Sequence, residues 1–142
     1  MEKLELFSAA WAEQAKTAIQ SSAAYKKSAA TWEGAMVFTL QADSSLGVPD
    51  NQSVYFDLRH GECLDARVAT PEDLASAPYM ISADAFTWQQ VLNSKLEPIA
   101  GLLRGKLKLS KGSMAVLARY VMAAKEMVNC AARVPTRFPS EH

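Results

Sequence analysis

Cysteine and histidine are scarce in this chain, with two of each among 142 residues. Cys63 and Cys130 cannot build a disulfide framework, so a reducing, cytoplasmic setting is the expectation. His60 and His142 are too few for a histidine-based zinc site, which takes three or four ligands at matched spacing. No metal and no cofactor is expected. An excess of positive charge is also missing: Lys plus Arg count 15 and Asp plus Glu count 15. The electrostatic footprint of a nucleic-acid binder is therefore absent. Long apolar runs are lacking too, since no stretch of more than ten residues is without Asp, Glu, Lys or Arg. A spanning helix needs roughly 20 mostly apolar residues. The opening Met1-Glu2-Lys3-Leu4-Glu5 does not read as a secretory leader.

Catalytic motifs are equally thin. No GxSxG, Walker A, GxGxxG or HExxH pattern occurs. Cys63 follows the His60-Gly61 turn and Cys130 lies in an alanine-rich helical tail, with no base in sequence beside either. Glu72 and Asp73 follow Thr70-Pro71 and read as a helix start, with Thr70 as cap, Pro71 in the first turn and acids at the positive end. An enzyme is not the favoured reading.

Hydrophobic residues make up 49% of the chain, enough for one core-bearing domain over residues 1–142, with a loose tail from about 134 onward. Helical spacing from Leu4 to about Tyr25 predicts one amphipathic helix. Alternation predicts strands over 35–41, 54–59, 63–69, 79–82 and 106–110. For the hairpin at His60-Gly61, Val54, Phe56 and Leu58 share one face, and so do Leu64, Ala66 and Val68. A two-residue loop would turn the second set outward. The expectation is an odd loop, with Asp57 opposite Arg67 and Arg59 opposite Asp65 in the five-residue version. Helices are predicted over 83–92, after Pro98, and from Ser113 to about Ala132. The class is α+β with a mixed or mostly antiparallel sheet.

What the chain has in surplus is apolar helix surface. On the last helix Met114, Leu117, Val121, Ala124 and Val128 cover one face, and Met122 lies on a flank. That exceeds the stripe of about 100° needed to pack on one sheet. Phe86 falls opposite Ala85, Trp88 and Leu92, and Leu96, Ile99, Leu102 and Leu103 crowd the next short helix. Such surface is covered by core, by a partner subunit or by a lipid in an internal cavity.

The segment Lys95-Leu96-Glu97-Pro98-Ile99-Ala100-Gly101-Leu102-Leu103-Arg104-Gly105-Lys106-Leu107-Lys108-Leu109-Ser110-Lys111-Gly112 resembles the KLDP…GKLKLKG stretch of the sterol carrier protein 2 family. Val54-Tyr55-Phe56-Asp57-Leu58-Arg59-His60-Gly61-Glu62-Cys63 resembles its LDLxxGxx hairpin. Trp11-Ala12-Glu13, Tyr25 and Thr31-Trp32-Glu33-Gly34 look like a prokaryotic single-domain branch. The resemblance implies a five-stranded mixed sheet covered on one side by helices. It also implies an apolar tunnel between them, for a fatty acid, fatty acyl-CoA, sterol-like or isoprenoid ligand. Expected lipid-binding residues are Phe38, Phe86, Trp88, Leu92, Leu96 and Leu102, together with Leu103, Met114, Leu117, Val121 and Met122. Arg104, Lys106, Lys108 and Lys111 form a basic cluster expected to meet a head group or an anionic membrane. The expected role is non-catalytic lipid binding and transfer. The alternative is an accessory or homodimerising module that presents a lipid or isoprenoid intermediate to partner enzymes.

Overall fold

The computed structural model describes residues 2–139, so His142 lies outside the described residues. The expected single N-terminal helix is three pieces. Leu4–Glu5 is a two-residue strand, β1. Phe7 turns the chain in the left-handed region, with φ 63°, and Ser8 caps α1, Ala9–Gln20, by accepting from the Trp11 amide. Ser22 then accepts from the Tyr25 amide and starts a second helix, α2, Ala23–Ser28. A serine inside a helical pattern thus acts as a cap, its hydroxyl replacing the missing backbone acceptor. Helix α1 buries Trp11, Ala12, Ala15 and Ile19.

Five strands form the main sheet: β2 Met36–Leu40, β3 Gln52–Arg59, β4 Glu62–Val68, β5 Tyr79–Ala83 and β6 Lys108–Lys111. Their order is β4-β3-β2-β5-β6. Strands β2 and β5 run parallel and every other neighbour is antiparallel, so the sheet is mixed. Central β2 buries Met36 and Leu40 and also Val37 and Thr39, so both faces are covered there. On the outer side lies α3, Pro71–Ser76. The Arg67 guanidinium on β4 donates to Asp73, and the Lys111 ammonium on β6 donates to the carbonyls of Leu74 and Ala75.

The hairpin overturns the expected odd loop. His60 and Gly61, at φ 50° and 80°, make a two-residue turn that sets Arg59 opposite Glu62 and Leu58 opposite Cys63. A bulge then shifts the register: Asp57 faces Asp65, and Tyr55, not Asp57, faces Arg67. Leu64 is the extra residue and is 53% exposed, whereas Cys63 and Ala66 are buried. The parity conflict is absorbed inside the strand, not in the loop. Contacts from α2 and the segment after it hold the turn tight. The His60 amide donates to the Trp32 carbonyl at 2.7 Å, and the His60 ring meets Ala30 O and Glu33 Oε1 at 3.2 and 2.9 Å.

Thr70 and Asp73 form a full capping box at the start of α3, as the helix-start reading of Glu72 and Asp73 expects. The Arg67 guanidinium holds the buried Asp73 carboxyl down to about 2, from an ordinary 3.8. A carboxylate with a depressed folded-state pKa stabilises the fold above about pH 4, and the contribution is lost as pH falls toward 2. Asp73→Asn is expected to lower stability at neutral pH by about 1–3 kcal/mol. It should also flatten the loss between about pH 4 and 2; urea midpoints across that range check both.

Asp84 caps α4, Ala85–Leu92. The Glu97 carboxylate accepts from the Ile99 and Ala100 amides and starts α5, Pro98–Leu103. Ser113 caps α6, Met114–Leu117, which passes through a 3-10 turn, Ala118–Tyr120, into α7, Val121–Ala131. The expected unbroken last helix is therefore interrupted at Tyr120, whose φ −116° and ψ 35° leave the helical region. The cause is a distant anchor. The Tyr120 hydroxyl lies 3.0 Å from Thr31 Oγ1 and donates to Thr31 O at 3.2 Å, and its ring stands edge-on to Trp32 at 4.9 Å. Of the expected loose tail, residues 140–142 lie outside the described residues, and the part before them is packed. Val134 and Phe138 are buried, and β7, Thr136–Arg137, pairs with β1. The Trp11 indole donates to Thr136 at 2.8 Å.

Candidate functional site

Between the inner face of the sheet and the helices lies an apolar cavity of about 120 Å3. Alternation on the strands supplies its floor: Met36 and Phe38 from β2, Phe56 and Leu58 from β3, and Ile81 from β5. The four-residue spacing of α1 brings Trp11, Ala15 and Ile19 to one wall. Helix α4 adds Trp88, Val91 and Leu92, α5 adds Ile99 and Leu102, and α6 adds Leu117. Ala123, Ala124, Met127, Val128 and Ala131 of α7 close it. No charged side chain lines this space. The floor is braced by edge-on rings: Phe38 stands 5.7 Å from Phe56 and 5.9 Å from Trp88, and Phe7 stands 5.2 Å from Trp88.

A second groove of about 300 Å3 lies outside, lined by Ser94, Leu96, Glu97, Met122, Lys125, Glu126 and Asn129. Val91, Pro98 and Val128 border both spaces. Those three side chains therefore stand between the apolar cavity and a polar-edged groove.

The expected lipid-binding residues divide among these places. Phe38, Trp88, Leu92, Leu102 and Leu117 line the cavity. Leu96 and Met122 line the outer groove, and Met122 is 59% exposed. Met114 and Val121, both half-buried, border neither space. Phe86 and Leu103 face solvent, 65% and 71% exposed. Phe86 lies on the side of α4 opposite Trp88 and Leu92, which take the inner face. Trp11 and Phe56, which are not among the expected lipid-binding residues, also line the cavity. The helical and strand periods were present, but a filled core carries the same periods.

Of the basic cluster, Arg104, Lys106 and Lys108 are exposed, and Lys111 is committed to the α3 carbonyls on the outer face. The thiols are sealed. Cys63 is buried, its Sγ donates to Asp65 O, and burial pushes it up to about 12. Burial also raises Cys130. At neutral pH neither is a thiolate, the form that acts as nucleophile. Among the described residues no helix is long and apolar enough to cross a membrane.

No curated protein matches the sequence significantly. Solved structures do. A crystal structure of sterol carrier protein 2 is 43% identical, with a TM-score of 0.84 over 92% of this chain and 99% of that one. The solution structure of a conserved hypothetical protein from Thermus thermophilus is 41% identical, with a TM-score of 0.85 over 100% of this chain and 97% of that one. Apo sterol carrier protein 2 from Yarrowia lipolytica is 21% identical, with a TM-score of 0.51 over 87% and 80%, and shows likeness of fold alone. The family profile described as the SCP-2 sterol transfer family matches residues 12–125. With that match and two structures above 40% identity, this chain belongs to the SCP-2 sterol transfer family.

Proposed function

We propose that this protein binds an apolar or amphipathic lipid non-catalytically in the cavity between sheet and helices and passes it on. The ligand classes are a fatty acid, a fatty acyl-CoA, a sterol-like molecule or an isoprenoid. The observation that carries the reading is a cavity bordered by aromatic and aliphatic groups with no charged side chain, inside a fold of a sterol transfer family. Binding there needs no polar catalyst, because each methylene leaving water gains about 0.8 kcal/mol. The cavity volume of about 120 Å3 is close to that of an engineered apolar cavity, about 150 Å3, that takes up benzene. A complete acyl chain is larger, so it must widen the space or extend beyond it. The thin partition of Val91, Pro98 and Val128 beside the outer groove is the natural place.

The decisive experiment is extraction. Purified protein is denatured and its organic extract weighed by mass spectrometry, with the mass in solution measured on the same sample. Stoichiometric lipid from a monomer supports the carrier. A lipid-free dimer would replace this reading with the accessory module, for which exposed Phe86, Leu103 and Met122 offer apolar contact surface.

Delivery to membranes is a further part of the proposal. Leu103, at the end of α5, is exposed, as are Arg104 and Lys106 in the connection to β6 and Lys108 at its start. Each cation near an anionic surface adds about 1 kcal/mol. Replacing the three with Gln is expected to weaken sedimentation with phosphatidylserine vesicles at low salt by at least about tenfold. Equal binding by the variant would remove the membrane from the proposal.

A further inference from the structure

The cavity wall contains five side chains with a hydrogen-bonding group, and four of these are satisfied by the protein. The Trp11 indole donates to Thr136, Trp32 to Gly34 O, Trp88 to Thr39 O, and the Tyr120 hydroxyl to Thr31. The fifth is Tyr25. Its ring lines the cavity and the residue is 3% exposed, yet its hydroxyl makes no hydrogen bond among the described residues. No fully sealed side-chain nitrogen or oxygen among the described residues lacks a partner. The Tyr25 hydroxyl is therefore not sealed in protein, and the space its buried ring borders is the cavity.

A buried hydroxyl left unpaired costs about 1–3 kcal/mol. Phenylalanine would supply the same ring without that cost. The ring is also held in place. Ser22 accepts from the Tyr25 amide at 3.0 Å, and the backbone of the next residue, Lys26, is backed directly by Gly61 of the hairpin. Tyr25 cannot swing its hydroxyl out to solvent without dislodging α2. Burial raises the phenol, so it remains a neutral donor at physiological pH. The cavity offers no cation to accompany it. A carboxylate or phosphate taken to this position would be an unpaired buried charge, costing several kcal/mol.

We infer that Tyr25 is a ligand-anchoring residue, its hydroxyl donating to an uncharged oxygen, of an alcohol, ketone or ester, that the lipid carries into the cavity. The inference rests on the lipid-binding reading above and adds to it an orientation and a chemical class. The preferred guest is a neutral oxygenated lipid held oxygen-first, with its apolar remainder toward α5 and α7.

The test compares dodecanol with dodecane, each displacing a fluorescent fatty acid from the wild-type protein and from Tyr25→Phe. The ratio of affinities, alcohol over alkane, is expected to fall about fivefold in the variant, the size of one net hydrogen bond. A second readout is the infrared carbonyl stretch of bound dodecanone. It should lie at lower frequency in the wild type and return to its apolar-solvent position in Tyr25→Phe. An unchanged ratio and frequency overturns the anchor while leaving lipid binding standing. Failure of the wild type to take up either probe overturns lipid binding itself. A lower melting temperature for Tyr25→Phe without ligand also overturns the anchor, because it shows the hydroxyl bonded within the protein.

Discussion

Ala124→Phe is expected to abolish lipid uptake while the protein stays folded. Ala124 lies on α7, half-buried, with its methyl group on the cavity wall. A phenyl ring placed there occupies a space of about 120 Å3, the scale of cavity that a benzene molecule fills. Filling an apolar void with apolar atoms commonly adds about 0.5–2 kcal/mol of stability. Affinity for a fluorescent fatty acid should fall by more than about tenfold, with the melting temperature unchanged or raised. Ala124→Leu adds less bulk and should give an intermediate loss. Full affinity in a well-folded Ala124→Phe protein would show that the lipid is held elsewhere, the outer groove being the first place to look.

Gly61→Ala is expected to have the largest effect on stability. Gly61 has φ 80°, a region that costs a residue with a side chain about 1–3 kcal/mol. A Cβ there would also stand 2.5 Å from the Lys26 carbonyl oxygen and 2.8 Å from its Cα. Those are backbone atoms and cannot rotate away. The helix-to-hairpin contact must open, so the total is about 3 kcal/mol or more, against a usual stability of about 5–15 kcal/mol. Urea unfolding followed by circular dichroism measures it. A change below about 1 kcal/mol would show that α2 gives way easily, and would weaken the rigid presentation of Tyr25.

Much of this fold was legible because its signals are short-range. Asp84 caps α4, Pro98 stands in the first turn of α5 and Gly105, at φ 74°, lies just past its end, each within a turn of the residues it serves. The inward faces of β2 and β3 follow from alternation alone. The candidate site was legible only in outline. Phe86 and Trp88 are both large, aromatic and two residues apart on α4, yet Trp88 borders the cavity and Phe86 faces solvent. Helical phase separates them, but it does not say which side meets a space. Tyr25 entered the family resemblance, but nothing beside it in sequence marks an anchoring role, which lies in a hydrogen bond that no neighbour makes.

Composition and period alone determined an α+β chain with a mixed or mostly antiparallel sheet, balanced charge, no catalytic motif and more apolar helix surface than one sheet requires. Those properties are sums and repeats over neighbouring residues, and neighbours carry them. Tertiary structure alone decided the tight turn at His60-Gly61, the bulge at Leu64, the break at Tyr120 and the packing of residues 134–138. Each depends on groups distant in the chain: Gly61 meets the Lys26 backbone, and Tyr120 reaches Thr31 across 89 positions. Whether an apolar face ends in a filled core or at a cavity is settled only when such distant surfaces meet and leave a gap.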